Sequence, residues 1–342
     1  MKNHMLSNFA FACVALAMTS LSLIGCKEEP AKESSTVTPT GRAATTGPAA
    51  SGSPLKLAFV TNNASEFWKI AAAGVHAYEK EAGVKVDILQ PPNGKVEEQN
   101  QMIENLVAQG YNGIALSAIA PADQVSAINR AAKKTKLITF DSDAPTSDRL
   151  CYIGTNNFKF GQALGGEIVK LMPQGGKIAV FVGQLAADNA KQRLDGLIDA
   201  TKGHNIEVVE KREDQTDRNK ARSNVEDVIN ARPEVTMMVG LWSYNGPAIA
   251  KAISASGKKG KVLAAVSDEE VDTLAGLKDG TIACTVVQKP YQFGYRSAKL
   301  LHELNTKGDA VLPPNKMDDT CIKVIDKANV AEFEVELAKL RS

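Results

Sequence analysis

The sequence predicts an α/β protein built as two doubly wound, Rossmann-like lobes with parallel sheets. Three observations carry this fold class. From Leu55 onward, short apolar runs alternate with segments whose apolar residues recur at helical spacing. The connections are short, which places parallel strands under helices on both faces. The alternation also breaks near Asp148 and restarts, giving more strands than one tidy sheet holds.

The elements follow in order. Leu57–Val60 is a short apolar strand that ends in Thr61, Asn62 and Asn63. Phe67, Ile70, Ala71, Gly74, Val75 and Tyr78 then recur at helical spacing until Gly83. Val84–Leu89 alternates like a strand, and Ile103, Leu106 and Val107 mark a helix ended by Gly110. Gly113–Ser117 is the third strand, Pro121 opens the next helix, and Leu137–Phe140 is the fourth strand, followed by Asp141. Further strands are read at Cys151–Gly154, Lys177–Val182, Ile206–Lys211, Val235–Val239, Val262–Val266 and Ile282–Val287. Between and after them lie helices at Asn157–Leu171, Ala187–Lys202, Arg218–Ala231, Asn245–Ser256 and Tyr291–Asn305.

Composition narrows the function. The chain has 342 residues, 44% hydrophobic and 23% charged, ordinary for a globular protein. At roughly 150 residues per domain, two packed units are expected. Lys plus Arg is 40 and Asp plus Glu is 39, so no basic excess exists to neutralise phosphates and nucleic acid is not expected as a partner. Five cysteines are too few for a disulfide scaffold.

The N-terminus reads as processing and tether. Lys2 precedes an uncharged apolar run from Phe9 to Ile24, shorter than the about 20 residues of a membrane span. This is the pattern of a secretory signal. Leu23-Ile24-Gly25-Cys26 resembles a bacterial lipobox, which implies removal of residues 1–25 and lipidation of Cys26. Ordinary signal cleavage with an idle cysteine is the bland alternative, which the motif's specificity and its distance from the apolar run disfavour. Residues 26–54 are rich in Ala, Thr, Ser, Gly and Pro and cannot bury a core. They would form a flexible tether spanning roughly 30 Å. The expected location is exported, periplasmic or cell-surface, held at a membrane by the lipid. Export also permits disulfides among Cys151, Cys284 and Cys321, with one thiol left over; three reduced, buried cysteines are the alternative.

Ligands of such sheets bind beyond the carboxyl ends of the strands. Asn62, Asn63, Phe67 and Trp68 follow the first strand, and Asp141 and Ser142 the fourth. Gln184 with Arg193, then Thr216-Asp217, then Trp242-Ser243-Tyr244-Asn245, then Asp268-Glu269-Glu270, then Gln288 follow strands of the second half. Carboxylates accept paired hydroxyls, Arg donates a fork, amides do both, and aromatic faces cover the C–H face of a ring. The set suits an uncharged polyhydroxylated ligand. Each residue has a bland alternative. Asp141, Asp217 and Asp268 could be helix N-caps, one of Phe67 and Trp68 could be core, Trp242 could be core, and Arg193 could be a solvated helix residue. Their shared address favours the functional reading.

The body resembles the periplasmic pentose- and hexose-binding proteins of ABC importers, the ribose-binding-like group of the type I periplasmic binding fold. The matching stretches are Thr61–Trp68, Leu137–Asp141, Ile153–Gly166, Asn189–Gly196, Arg232–Val235, Ala265–Asp268 and Thr285–Gly294. The resemblance implies two lobes joined by three hinge strands, with a sugar in the cleft. The implied lobes are 55–154 plus 290–319 and 155–289 plus 320–342. Phe67, Trp68, Asp141, Arg193, Asp268 and Gln288 fall on the family's ligand positions. Ser142 stands where ribose binders often carry Arg, Trp242 where they carry Asn, and no aromatic stands near Thr216. These departures point away from D-ribose itself and leave another sugar or polyol. The implied ligand set is Asn62, Asn63, Phe67, Trp68, Asp141, Ser142, Arg193, Thr216, Trp242, Asp268 and Gln288. Crossings near Gly154 and Cys321 would bring Cys151 and Cys321 together at the hinge as a disulfide. The implied role is capture of a monosaccharide or polyol by hinge closure and delivery to the transmembrane subunits of an ABC permease. The protein would act as a monomer, without metal or cofactor.

Other classes compete. A sensor presenting its ligand to a chemoreceptor or kinase would have the same body. A secreted carbohydrate-active enzyme would use Asp141 and Asp268 as a carboxylate pair. Against an enzyme, G-x-S-x-G, H-E-x-x-H and the phosphate-loop pattern are absent, and His76, His204 and His302 are scattered. A repressor of this body would carry a helix-turn-helix where this chain carries an export signal.

Overall fold

The structure, a computed structural model, describes residues 54–62 and 67–341. The expected signal peptide, Cys26 and Asn63 lie outside the described residues.

The strands in chain order are β1 (Leu57–Val60), β2 (Val86–Leu89), β3 (Gly113–Leu116), β4 (Lys136–Phe140), β5 (Tyr152–Gly154), β6 (Gly176–Val182), β7 (Ile206–Glu213), β8 (Val235–Gly240), β9 (Leu263–Ser267), β10 (Cys284–Val287), β11 (Met317–Asp319) and β12 (Lys323–Asp326). They form two six-stranded sheets, ordered β11-β5-β4-β3-β1-β2 and β12-β10-β9-β8-β6-β7. Every pairing is parallel except β10 with β12, where Val287 lies opposite Lys323.

The helices are α1 (Phe67–Ala82), α2 (Val96–Ala108), α3 (Pro121–Ala132), α4 (Asn157–Leu171), α5 (Asp188–Thr201), α6 (Arg218–Ala231), α7 (Asn245–Ala255), α8 (Val271–Asp279), α9 (Pro290–Thr306) and α10 (Val330–Arg341). The chain completes five strands of the first sheet and then crosses after Gly154. It builds five strands of the second sheet and returns after Val287 into α9. There α9 packs on α1 and beneath the first sheet. It adds β11 beside β5 and crosses a third time to β12.

Central strands such as β1 (LAFV) and β3 (GIAL) are unbroken apolar runs because helices cover both of their faces. Phe59 and Phe140 stack at 4.0 Å between centroids in the first lobe's core. Edge strand β7 reads IEVVEKRE and is only partly buried. Two helix crossings are set by glycine. A Cβ on Gly74 would lie 2.0 Å from the Tyr291 carbonyl, and one on Gly294 only 1.8 Å from that of Ala71. In the second lobe, a Cβ on Gly161 would lie 2.0 Å from the Arg193 carbonyl, and one on Gly196 2.1 Å from that of Phe158. These close approaches seat α1 on α9 and α4 on α5. They thereby fix the helices that carry Phe67, Trp68 and Arg193.

The structure corrects several expectations. β2 starts two residues later than the alternation predicts, at Val86, and β10 starts at Cys284 rather than Ile282. Ile282 instead closes the turn after α8, its N–H donating to the Gly276 carbonyl at 3.0 Å. The short strands β11 and β12 and the helix α10 are not among the expected elements. The Cys151–Cys321 disulfide is not formed. Cys151 is a free thiol turned into the apolar core of the first lobe, its Sγ 3.5 Å from the Tyr152 carbonyl. Burial pushes that thiol up to about 12. Cys284 is likewise free and buried. Among the described residues, no helix is long and apolar enough to cross a membrane.

Candidate functional site

The carboxyl ends of both sheets face one cleft of about 320 Å³. Asp141 and Asp268 build it from opposite lobes in the same way. Each is the first residue beyond a strand, β4 and β9, and each sits in the left-handed region, at φ 56° and 64°. That conformation is uncommon for residues with a Cβ, and Asp tolerates it better than most. Backbone bonds hold each one there. Asp141 N donates to Ile153 O at 3.1 Å, and the Tyr152 hydroxyl donates to Asp141 O at 2.9 Å. Asp268 N donates to Val286 O at 2.8 Å, and Thr285 Oγ1 donates to Asp268 O at 2.7 Å. Neither Asp caps a helix. Asp217 does, accepting from the N–H groups of Asn219 and Lys220.

The carboxylates are tied into short chains. Asn62 Nδ2 donates to Ser117 Oγ at 3.1 Å, and that hydroxyl donates to Asp141 Oδ2 at 2.9 Å. Across the cleft, Gln288 Nε2 donates to Asp268 Oδ1 at 3.1 Å. Burial raises Asp141 to about 6, opposed by the Ser117 hydrogen bond and the charge of Arg193. Burial raises Asp268 as well, again opposed by Arg193.

Arg193 is 3% exposed and projects from α5 into the cleft that both carboxylates line, near enough to feel the charge of each. Its Nε donates to Asn157 Oδ1 at 2.9 Å, its Nη1 donates to Leu241 O at 2.7 Å, and its guanidinium lies 4.0 Å from the Phe160 ring centroid. It is therefore no solvated helix residue. Burial lowers its pKa and the two aspartates oppose this, so it stays charged.

The aromatic residues divide as helical geometry requires. Trp68 is buried against Phe140, with ring centroids 5.7 Å apart, while half-buried Phe67 meets it edge-on at 4.9 Å. Trp242 lies on the backbone of Gly183, where a Cβ would come within 2.0 Å of the indole. Its Nε1 is buried without a hydrogen-bond partner among the described residues, as is Asn189 Oδ1. Tyr244 donates its hydroxyl to Asp214, and the Arg218 guanidinium, forked onto Glu270, lies 5.5 Å from its ring centroid.

The cleft thus gathers Asn62, Phe67, Trp68, Asp141, Arg193, Trp242, Asp268 and Gln288 from the expected set. Ser142 and Thr216 are not brought to it. Ser142 turns its carbonyl to the Ala118 N–H, and exposed Thr216 folds its hydroxyl onto the Gln215 carbonyl at 2.6 Å. Asn157 and Asn189 line the cleft unforeseen, and Ser243 and Tyr244, read among the residues past β8 but left out of the implied ligand set, line it too. Asn189 stands one helical turn before Arg193, a spacing that could have marked it.

Known proteins share this architecture. Residues 57–309 match the model of the periplasmic binding protein domain. The chain is 26% identical over 277 residues to the D-allose-binding periplasmic protein of Escherichia coli K12, across 78% of this chain and 88% of that one. It is 25% identical to the ribose import binding protein RbsB of Bacillus subtilis, across 65% and 72% of the two chains. A solved ABC transporter solute binding protein from Burkholderia graminis, in complex with D-arabinose, is 32% identical over 80% of this chain and 96% of that one, with a TM-score of 0.74. GanP, a glucose-galactose binding protein from Geobacillus stearothermophilus, is 27% identical over 81% and 99%, with a TM-score of 0.76. These relatives are binding proteins rather than enzymes. The chain belongs to the periplasmic binding protein family, in its ribose-binding-like, type I form.

Proposed function

We propose that this chain is the sugar-binding component of an ABC importer. It would capture a monosaccharide or polyol between residues 55–154 plus 290–319 and residues 155–289 plus 320–342, and hand it to the permease. One observation carries the reading: Asp141 and Asp268 approach the same cleft from different sheets, and Arg193 and aromatic rings line that cleft with them. Two carboxylates accept pairs of hydroxyls, the guanidinium donates to further oxygens, and Phe67 and Trp242 cover the ring's apolar face. A ligand held from both lobes has more partners in the closed form than in the open one. Its differential affinity therefore shifts the population toward closure. The relatives named for allose, ribose and arabinose support the same ligand class.

Titration calorimetry over D-ribose, D-arabinose, D-xylose, D-allose, D-galactose and common polyols tests this. The expected result is saturable one-to-one binding of at least one aldose, with a smaller radius of gyration by X-ray scattering. Absence of binding across the panel overturns it. The export and anchoring reading rests on the Leu23–Cys26 motif. It predicts that the protein fractionates with membranes and that Cys26→Ala releases it. Recovery of the wild-type chain as a free soluble protein would overturn that part.

A further inference from the structure

This inference rests on the sugar-binding reading and moves one layer behind the cleft. Gln99, near the start of α2, is fully buried and does not line the cleft. All four of its hydrogen-bonding capacities are used. Nε2 donates to Thr61 O and Ser117 O, both at 2.8 Å, while Oε1 accepts from Ile119 N at 3.1 Å and Gln124 Nε2 at 2.9 Å.

The two carbonyls it bridges have a special place. β1 and β3 pair up to Val60 and Leu116, and Thr61 and Ser117 are the next residues of each strand. One amide group spans the mouth of the ladder where strand pairing ends. Two cleft groups follow directly from the bridged pair: Asn62 is the next residue after Thr61, and Ser117 itself supplies the hydroxyl that donates to Asp141. Gln124 supports the bridge from α3, its Oε1 accepting from Ala120 N at 3.0 Å.

We infer that Gln99 is a positioning residue for the ligand: by clamping the ends of β1 and β3 it holds Asn62 and Ser117 so that Asp141 presents its carboxylate in one geometry. Without the clamp, the bridge that one amide makes between the Thr61 and Ser117 carbonyls is lost, and the ends of β1 and β3 are no longer held to each other at that point. The other charged and titratable groups acting on the Asp141 carboxyl are unchanged: Arg193 and Asp268 from the second lobe, and Tyr152 from β5, whose hydroxyl donates to the Asp141 carbonyl.

The test uses Gln99→Met, Ser117→Ala and the double variant, with Gln124→Leu as a milder lesion of the same clamp. The first readout needs no ligand: the titration midpoint of the Asp141 carboxyl, followed by carbon NMR in the full chain. Ser117→Ala and Gln99→Met should each raise it, and the double variant should add nothing further. The second readout is affinity for whichever of D-arabinose, D-ribose and D-allose the wild type binds most tightly, with an expected loss of about tenfold or more. Gln124→Leu should move both readouts the same way by less. Thr201→Val, which removes a buried hydroxyl from α5, should lower thermal stability and leave both unchanged. If Gln99→Met lowers the melting temperature while the Asp141 midpoint and the sugar affinity stay at wild-type values, the inference is overturned. If the wild type binds no sugar yet the midpoint shifts, the clamp stands and the sugar reading falls.

Discussion

Thr155 and Gln288 join two separate crossings of the chain between the lobes: Thr155 Oγ1 donates to Gln288 Oε1 at 2.9 Å. The same Gln288 amide donates from its nitrogen to Asp268 Oδ1 at 3.1 Å. One side chain therefore couples the hinge to a cleft carboxylate. A ligand hydroxyl that engages Asp268 acts on a group whose position is set by both crossings.

Gln288→Leu keeps the side-chain volume and removes both bonds. It takes a donor from a carboxylate and leaves the Thr155 hydroxyl unpaired. A hydrogen bond to a charged group contributes about 1.5–3 kcal/mol, so affinity should fall roughly tenfold to a hundredfold. Thr155→Val should cost less, because it spares the bond to Asp268. Calorimetry on the two variants separates hinge from ligand contact.

Arg193 is held by Asn157 and Leu241 and interacts through its charge with both Asp141 and Asp268. Arg193→Met leaves buried carboxylates without their cation, which should destabilise the protein by about 3–5 kcal/mol and abolish measurable sugar binding. Arg193→Lys should not restore binding, because an ammonium cannot reproduce the fork. Adding Asp141→Asn to Arg193→Met should recover part of the stability and none of the binding. Urea unfolding checks the first claim and calorimetry the second.

Much of this was legible in the sequence because strand ends are legible. Apolar runs such as LAFV and LITF announce where a parallel strand stops, and the polar residue just past the stop is at the cleft by topology. That logic located Asp141, Asp268 and Gln288. It failed where a side chain's direction depends on local backbone or on packing. Gln215 and Thr216 both lie in the left-handed region, at φ 57° and 65°, and their turn takes Thr216 away from the cleft. Asn157 and Asn189 are polar residues near helix starts, with no apolar pattern to reveal their facing. The glycine crossing of α4 and α5 decides it. β11 (MDD) is short, polar and without alternation, so only its pairing with β5 identifies it as a strand. Cys151 looked available for the hinge because sequence proximity to a crossing says nothing of which way a thiol points.

The pH dependence follows from Asp141. Its ordinary carboxyl value is 3.8 and burial raises it to about 6. Between those values the folded protein holds a proton that the unfolded chain has released. The contribution of this group to stability is therefore greatest in acid and declines as pH rises, by about 3 kcal/mol in all, levelling off above about 6. Binding has the opposite sign. Ligand hydroxyls donate to the ionised carboxylate, so sugar affinity should rise with pH through about 6 and then stay flat, with a proton released on binding near pH 6. Asp268, also raised by burial, pushes the same way. Calorimetry in buffers of different ionisation enthalpy counts the proton, and Asp141→Asn should remove most of it.

The chain has two tryptophans, Trp68 and Trp242, and both line the cleft. Emission excited selectively in tryptophan therefore reports on this site alone. Trp68 is buried against Phe140 and should change little, whereas Trp242 lies at the cleft wall with a buried Nε1 that has no hydrogen-bond partner among the described residues. A sugar closing over it should displace water and offer that donor an acceptor, shifting and sharpening the emission on titration. Trp242→Phe should remove most of the signal and, by losing the donor, weaken binding by roughly fivefold to tenfold. Gly183→Ala provides the control on position. Its new methyl group would meet the indole at 2.0 Å, so Trp242 must move while its chemistry is kept. An altered emission in the empty protein together with reduced affinity is the expected outcome. Unchanged binding in both variants would remove Trp242 from the ligand wall.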